Sequence, residues 1–403
     1  MSRKIFYGWW IVLACFLTNL YVSSIVFFGF TAFLDPLVKE FGWSYTQVSF
    51  AASLRGLEMG ILAPLVGFLA DRFGSRKLIF SGVMTVGFGL ILLSLTRSLT
   101  MFYGSFILLA FGAGGCTSVV TMTAVANWFK KNVGIAFAVM ASGFGASGLI
   151  VPLIVRLIDG YDWRTALIIL GLGMWALGIP LSFVIRNKPE QYGYVPDGKL
   201  ADGRISEYEI QHEKVEISFR KALKKRSFLY LNLAEVMRFM VLTAVVLHIM
   251  PYLGSMGMSR PTAGLVAAAI PLFSIIGRFG FGWLGDVFDK RYVIAVTFGF
   301  MGMGMLAFSH MQATWAIYLF LFLFSPGFGG GSVLRGAVLR EYFGRDSFGK
   351  MIGILMGFAS IGGIIGPTLA GWVFDTLGSY DFIWLVFAGC MSLGIILALR
   401  IKA

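Results

Sequence analysis

Apolar runs of about twenty residues or more recur along most of this chain, and a stretch of that length is enough to cross a ~30 Å hydrocarbon core. Twelve are read, at roughly 7–34, 45–70, 77–96, 100–128, 132–158, 163–185, 228–254, 260–286, 290–309, 313–341, 347–374 and 380–400. Inside lipid every backbone N–H and C=O must be satisfied within the protein, and runs this long do so as helices. A mean hydropathy of +0.82 with only 13% charged residues excludes an ordinary soluble globule. The expected class is an all-α membrane protein with twelve transmembrane helices.

The net charge of +13 would fit a nucleic-acid partner, but its distribution argues otherwise. Only Lys39, Arg97, Arg156, Arg164 and Arg260 fall in outside loops, and Arg55, Arg238, Arg278 and Arg335 fall inside helices. The other Lys and Arg residues lie at one set of ends and loops. That is the positive-inside bias, and it predicts a multi-pass protein of the cytoplasmic (inner) membrane with both termini cytoplasmic, and no nucleic acid. Arg3 and Lys4 precede an apolar run too long for a cleaved signal, so segment 1 reads as a retained anchor. Cys15, Cys116 and Cys390 lie far apart in separate helices and read as small buried residues, not a disulfide framework.

The chain is duplicated. Gly67-Phe-Leu-Ala-Asp71 aligns with Gly282-Trp-Leu-Gly-Asp286, 215 residues on, and Trp128-Phe129 aligns with Tyr342-Phe343. The runs 139–152 and 355–367 are both rich in Gly, Ala and Ser and end in Pro. The domains read as an N-terminal six-helix half (1–186), a charged cytoplasmic linker (187–227) and a C-terminal six-helix half (228–403). The basic run at 221–226 is expected to rest against anionic lipid headgroups, with a short amphipathic helix near 218–226. Parallel six-helix repeats are a transporter architecture, with the substrate expected at mid-bilayer where the repeats meet.

The residues also carry a resemblance. Gly67-Phe-Leu-Ala-Asp71-Arg72-Phe-Gly74-Ser-Arg76-Lys77 and its degenerate copy at 282–291 resemble the segment 2–3 loop signature of the major facilitator superfamily. Tyr7-Gly8-Trp9-Trp10, Trp128-Phe129-Lys130-Lys131 and Gly277-Arg278 are similar to the monocarboxylate transporter and oxalate/formate antiporter group within it. The resemblance implies the major facilitator fold of two pseudo-symmetric six-helix halves. It also implies that Arg278 holds the substrate carboxylate. Ser274 stands where animal members carry an aspartate, so their proton relay does not transfer. Segment 11 has no lysine after Lys350, which departs from the oxalate/formate design.

Charged residues inside membrane helices are costly and mark functional sites by default. Arg278 is the lead, because its fork matches a carboxylate bidentately and its own helix has no acid one turn away. Arg55 and Glu58, at i and i+3 near the middle of segment 2, read either as a substrate-facing, protonatable pair or as a self-neutralised packing pair. Glu235 and Arg238 repeat that spacing in segment 7; Glu235 either bridges to Arg278 without substrate or stays with Arg238. His248 is a gating or proton group, or a helix–helix hydrogen bond. Arg335 is a second cavity cation or a snorkelling side chain. Asn19, Tyr21 and Phe358 are expected cavity walls. Asp71, Arg72, Arg76, Lys77 and Asp286 read as a cytoplasmic gate bridging helix ends, with a topology-setting cluster as the alternative.

The function these readings favour is secondary transport of a small organic anion, as proton-coupled symport of a lactate- or pyruvate-like monocarboxylate. The alternative is an exchanger of the oxalate/formate or nitrate type. A membrane enzyme is disfavoured, since no H-E-x-x-H, G-x-S-x-G or Walker motif occurs. A receptor built on a carrier scaffold would need a partner for output. The expected partners are the carboxylate, a proton and lipid; no cofactor or metal is expected, and the carrier is expected to work as a monomer.

Overall fold

The computed structural model describes residues 6–43, 47, 62–198, 223–310 and 314–402. The protein is an all-α, multi-pass integral membrane protein. Eleven of its helical stretches are long and apolar enough to cross a membrane among the described residues. The expected segment 2 (45–70) lies mostly outside those residues, as do Arg55, Glu58 and the expected linker helix up to residue 222.

The helices run in order as α1 (Tyr7–Val22), α2 (Leu34–Phe41), α3 (Ala63–Phe73), α4 (Ser75–Ser94), α5 (Leu99–Cys116), α6 (Ser118–Trp128), α7 (Val133–Ala146), α8 (Val151–Gly160) and α9 (Trp163–Val184). They continue as α10 (Arg226–Ser255), α11 (Arg260–Val287), α12 (Lys290–Phe308), α13 (Thr314–Phe343), α14 (Phe348–Leu377) and α15 (Asp381–Leu399). Several of their starts follow from capping side chains. Ser98, Asp162 and Ser259 accept hydrogen bonds from the backbone N–H of Met101, Thr165 and Thr262, satisfying donors that the first helical turn leaves open. Gly378 ends α14 with a left-handed φ of 70°, which glycine adopts without a Cβ clash.

Among the described residues three expected spans are interrupted, and all three breaks lie in the first half. Segment 1 widens into a π-type turn at Ser23–Phe28 and then tightens into a 3-10 turn at Gly29–Phe33. Segment 4 breaks between α5 and α6, where Ser118 sits at φ 35°. The backbone N–H and hydroxyl of Thr117 both donate to the Ala113 carbonyl there. Segment 5 tightens at Ser147–Ile150. Serine and threonine hydroxyls that bond back to nearby carbonyls compete with the helical ladder, and hydropathy does not register this.

The chain packs as two compact units. The first holds Met1–Lys130, Val139–Lys214 and Phe348–Gly353; the second holds Lys131–Ala138, Val215–Ser347 and Ile354–Ala403. In the first unit α4 packs on α5 and α9, with Gly82 against Gly112 and Cys116. In the second, α13 packs on both α11 and α12. Gly277 and Gly329 of that second unit lie against the backbone of Pro326 and Ser274, so closely that a Cβ at either would strike a carbonyl oxygen. Gly362 and Gly366 of α14 meet the carbonyls of Val236 and Met240 on α10 in the same way. Small residues at such crossings let helices approach where lipid supplies no hydrophobic drive between them.

Candidate functional site

The close crossings of the second unit hold its charged side chains. Gly277 immediately precedes Arg278, and the α10 stretch touched by Gly362 and Gly366 flanks Arg238. Glu235 and Arg238 are fully buried, Arg278 is 2% exposed and Arg335 is 8% exposed. Among the described residues, Glu235 is the one buried carboxylate against these three guanidiniums.

Arg238 grips Glu235 with its fork: Nε donates to Oε1 at 3.0 Å and Nη2 donates to Oε2 at 2.7 Å. The i,i+3 spacing on one helix makes this geometry available locally. Arg335 approaches the same carboxylate from α13, with Nη1 at 3.6 Å from Oε2. That is an ion pair but not a hydrogen bond. Arg335 and Arg238 are the charged neighbours of Arg278, whose guanidinium lies 5.9 Å from the centre of the Phe328 ring. Phe239 faces both Arg238 and Arg335, at 5.1 and 5.6 Å. An aromatic face attracts a cation without offering it a strong hydrogen-bond acceptor.

Of the two expected arrangements of Glu235, its contacts therefore run to Arg238 and Arg335. The structure adds Arg335 to the Glu235–Arg238 pair and sets Arg278 beside it, whereas the sequence offered Arg335 as a separate feature. Phe239 had no signal of its own beyond lying next to Arg238. His248 is half-buried and ties α10 to its neighbours: Nδ1 lies 3.0 Å from the Tyr380 hydroxyl and Nε2 lies 3.0 Å from the Pro367 carbonyl.

The remaining expected wall residues are scattered. In the first unit, Asn19 donates to Thr121 Oγ1 at 3.4 Å and to the Met140 carbonyl at 3.3 Å. Tyr21 donates to the Leu170 carbonyl at 2.9 Å. Phe358, on α14, is exposed.

The two loop aspartates serve alike. Asp71 accepts from the backbone N–H of Gly349 and Lys350, both at 2.9 Å, at the start of α14. Asp286 accepts from Gly134 and Ile135 at 2.7 and 2.9 Å, at the start of α7. Each carboxylate caps an N-terminus of another helix, where N–H groups and the dipole favour negative charge. The capped glycines, 134 and 349, stand 215 residues apart, just as Asp71 and Asp286 do. The basic neighbours of Asp71 turn elsewhere: Arg72 lies over Phe73, Arg76 lies over Phe183, and Lys77 is exposed.

The sequence profile of the Major Facilitator Superfamily matches residues 10–259 and 228–402. The chain belongs to that superfamily. Human monocarboxylate transporter 12 is 25% identical over 401 residues, covering 94% of this chain and 77% of its own length. Among solved structures, the human organic anion transporter MFSD10 superposes with a TM-score of 0.76 at 14% identity, covering 97% of this chain and 99% of that one. The E. coli fucose:proton symporter FucP gives 0.72 at 17% identity, with 98% of each chain covered. At those identities the structural likeness speaks for the fold alone. The superfamily protein described here is thus a transporter-family member related at low identity to monocarboxylate transporters.

Proposed function

We propose that this superfamily member is a secondary transporter of small organic anions that moves a lactate- or pyruvate-like monocarboxylate together with a proton across the inner membrane. The observation that carries the reading is the set of buried guanidiniums in the second unit, Arg238, Arg278, Arg335 and Arg340, against one buried carboxylate, Glu235, among the described residues. Charged side chains inside membrane helices mark functional sites by default, and a guanidinium fork matches a carboxylate. Arg278 is the residue assigned to the carboxylate, with Glu235, Glu58 and His248 assigned to proton coupling. The relatives named as monocarboxylate transporters support the substrate class.

The test uses purified protein in liposomes. Arg278→Ala should weaken anion binding by about 2–5 kcal/mol, the cost of removing one partner of a buried charged contact. Arg278→Lys should be nearly as damaging, because an ammonium lacks the bidentate fork. Uptake of labelled lactate should rise as the outside pH falls and collapse with a protonophore, and Glu235→Gln should weaken this pH dependence more than Glu58→Gln. Unaltered affinity in Arg278→Ala sinks the site assignment. Uptake that ignores pH and requires an internal anion replaces symport with exchange.

A further inference from the structure

Close contacts set the register of α11 against α13. Gly277 meets Pro326, Phe281 meets Gly330 and Gly285 meets Leu334, each pair 49 residues apart, and Ser274 meets Gly329, 55 apart. The first three climb both helices together, so the helices run in the same direction, and they put Arg335 near the level of Asp286. Arg278 lies eight residues earlier on α11, roughly 12 Å away along the axis at about 1.5 Å per residue. The two arginines therefore stand at different depths on neighbouring helices. Helical side chains lean toward the N-terminal end, so Arg335 extends toward the level of Arg278. The two guanidiniums are within electrostatic reach of each other.

Arg335 is also the loosely held member of the cluster. Glu235 Oε2 already accepts from Arg238 at 2.7 Å, and Arg335 stops at 3.6 Å from the same atom. The Nε and Nη1 donors of Arg335 are buried and have no hydrogen-bond acceptor, although the residue is only 8% exposed. Phe239 holds its guanidinium without supplying one. A buried donor left open is costly, and Nε and Nη1, which point to different sides of the guanidinium, can each donate singly to an anion.

We infer that Arg335 is a second anion contact, set toward the Asp286 loop from Arg278, which receives the substrate carboxylate as it leaves Arg278 and exchanges it against the loose contact with Glu235. The inference rests on the assignment of the substrate carboxylate to Arg278. It adds a second station on the path, with its own open donors. A carboxylate passing between two cations is never released into the low-dielectric interior uncompensated, which is where an isolated charge is most costly.

The experiment separates affinity from passage. Wild type and Arg335→Gln are purified and reconstituted, and labelled lactate, oxalate and nitrate are tried as probes. Equilibrium Kd and the initial rate of counterflow are measured for the probe that wild type binds best. The expected result is a Kd within about threefold of wild type and counterflow slowed by at least about tenfold, on the scale set by losing a charge-assisted contact. A Kd weakened about tenfold or more, with counterflow falling only in proportion, places Arg335 in the same contact as Arg278 and overturns the proposal. Unchanged Kd and unchanged rate leave Arg335 as a structural cation and overturn it too. Where Arg335→Gln does not purify as a single species, Arg335→Lys keeps the charge and loses the fork; the same split should appear, with counterflow slowed by about threefold or more. If wild type binds none of the three anions, the transport reading itself fails, and this proposal falls with it.

Discussion

The interiors of the two units are built from different chemistry. In the first, Thr18, Asn19, Ser24, Thr121 and Ser147 are buried and direct their hydrogen bonds to one another or to backbone carbonyls of the same unit. No buried charged side chain lies in that unit among the described residues. In the second, Glu235, Arg238, Arg278 and Arg335 are all buried. Neutral hydroxyls and amides can be satisfied by the local backbone, and here they bend it: the π-type turn, the break at Ser118 and the tight turn at Ser147 all sit among them. Guanidiniums need a carboxylate or an anion, so the second unit stays regular and gathers its charges across helices. Among the described residues the duplicated scaffold thus carries unequal chemistry, while the aspartate caps of α14 and α7 remain alike.

The largest effect expected from breaking this contrast is at Glu235. Glu235→Gln leaves the Arg238 fork buried without its carboxylate and should cost about 3–5 kcal/mol of stability, read as a fall in the thermal midpoint of purified protein. The double variant Glu235→Gln/Arg238→Gln should lose less than the sum of the single ones, since it removes the stranded charge. A midpoint unmoved by Glu235→Gln would contradict a dry, paired cluster.

The first unit should respond more weakly and in a different observable. Asn19→Leu removes a donor to the Met140 carbonyl and the partner of Thr121, so about 1–3 kcal/mol of stability should go. Anion affinity should hold. A lost affinity with unchanged stability would move the substrate contact into the first unit and erase the contrast.

The caps test whether the two junctions are equivalent. Asp71→Ala and Asp286→Ala each remove two charge-assisted contacts to a helix start, and each should cost about 0.5–2 kcal/mol. Losses that differ by more than this range in a thermal-melt comparison would show that the duplicated motif is not energetically symmetric.

The smallest effect belongs to the first unit's outer rim. Arg164 donates to Glu40 and holds its carboxyl below the usual range, aided by Trp163 and opposed by partial desolvation. A depressed carboxyl stabilises the fold above its ordinary value, and the contribution fades as pH falls through the lower, folded-state value. The pair is well exposed, so less than about 1 kcal/mol is at stake. The midpoint difference between wild type and Glu40→Gln should therefore be present at neutral pH and shrink below pH ~4. A difference that grows in acid would reverse the sign of this pair.

The helical spans, the duplication and the burial of Arg238, Arg278 and Arg335 were legible in the sequence, because hydropathy over twenty residues and a repeated motif are local properties; the burial of Lys290 and Arg340 was not. The i,i+3 partnership of Glu235 with Arg238 was legible for the same reason: one helix supplies both ends. The interruptions at Ser23, Ser118 and Ser147 were not. Each depends on whether a hydroxyl finds a carbonyl on its own turn, and composition alone does not say so.

The sequence by itself determined that this chain spans a membrane as a repeated set of helices, and that Arg238, Arg278 and Arg335 lie within them. Only the tertiary structure decided which of the described arginines share an acid. Arg335 reaches Glu235 from a helix 100 residues along the chain, and Asp71 caps a backbone N–H 278 residues away. The second meeting follows from a crossing at Gly67, Gly349 and Gly353, where the missing side chain lets one backbone lie against another, and the first from Gly331, which lies against the Arg238 side chain. Hydropathy finds the helices; the depth and angle at which they cross, fixed by contacts of a single atom's width, decide which charges meet.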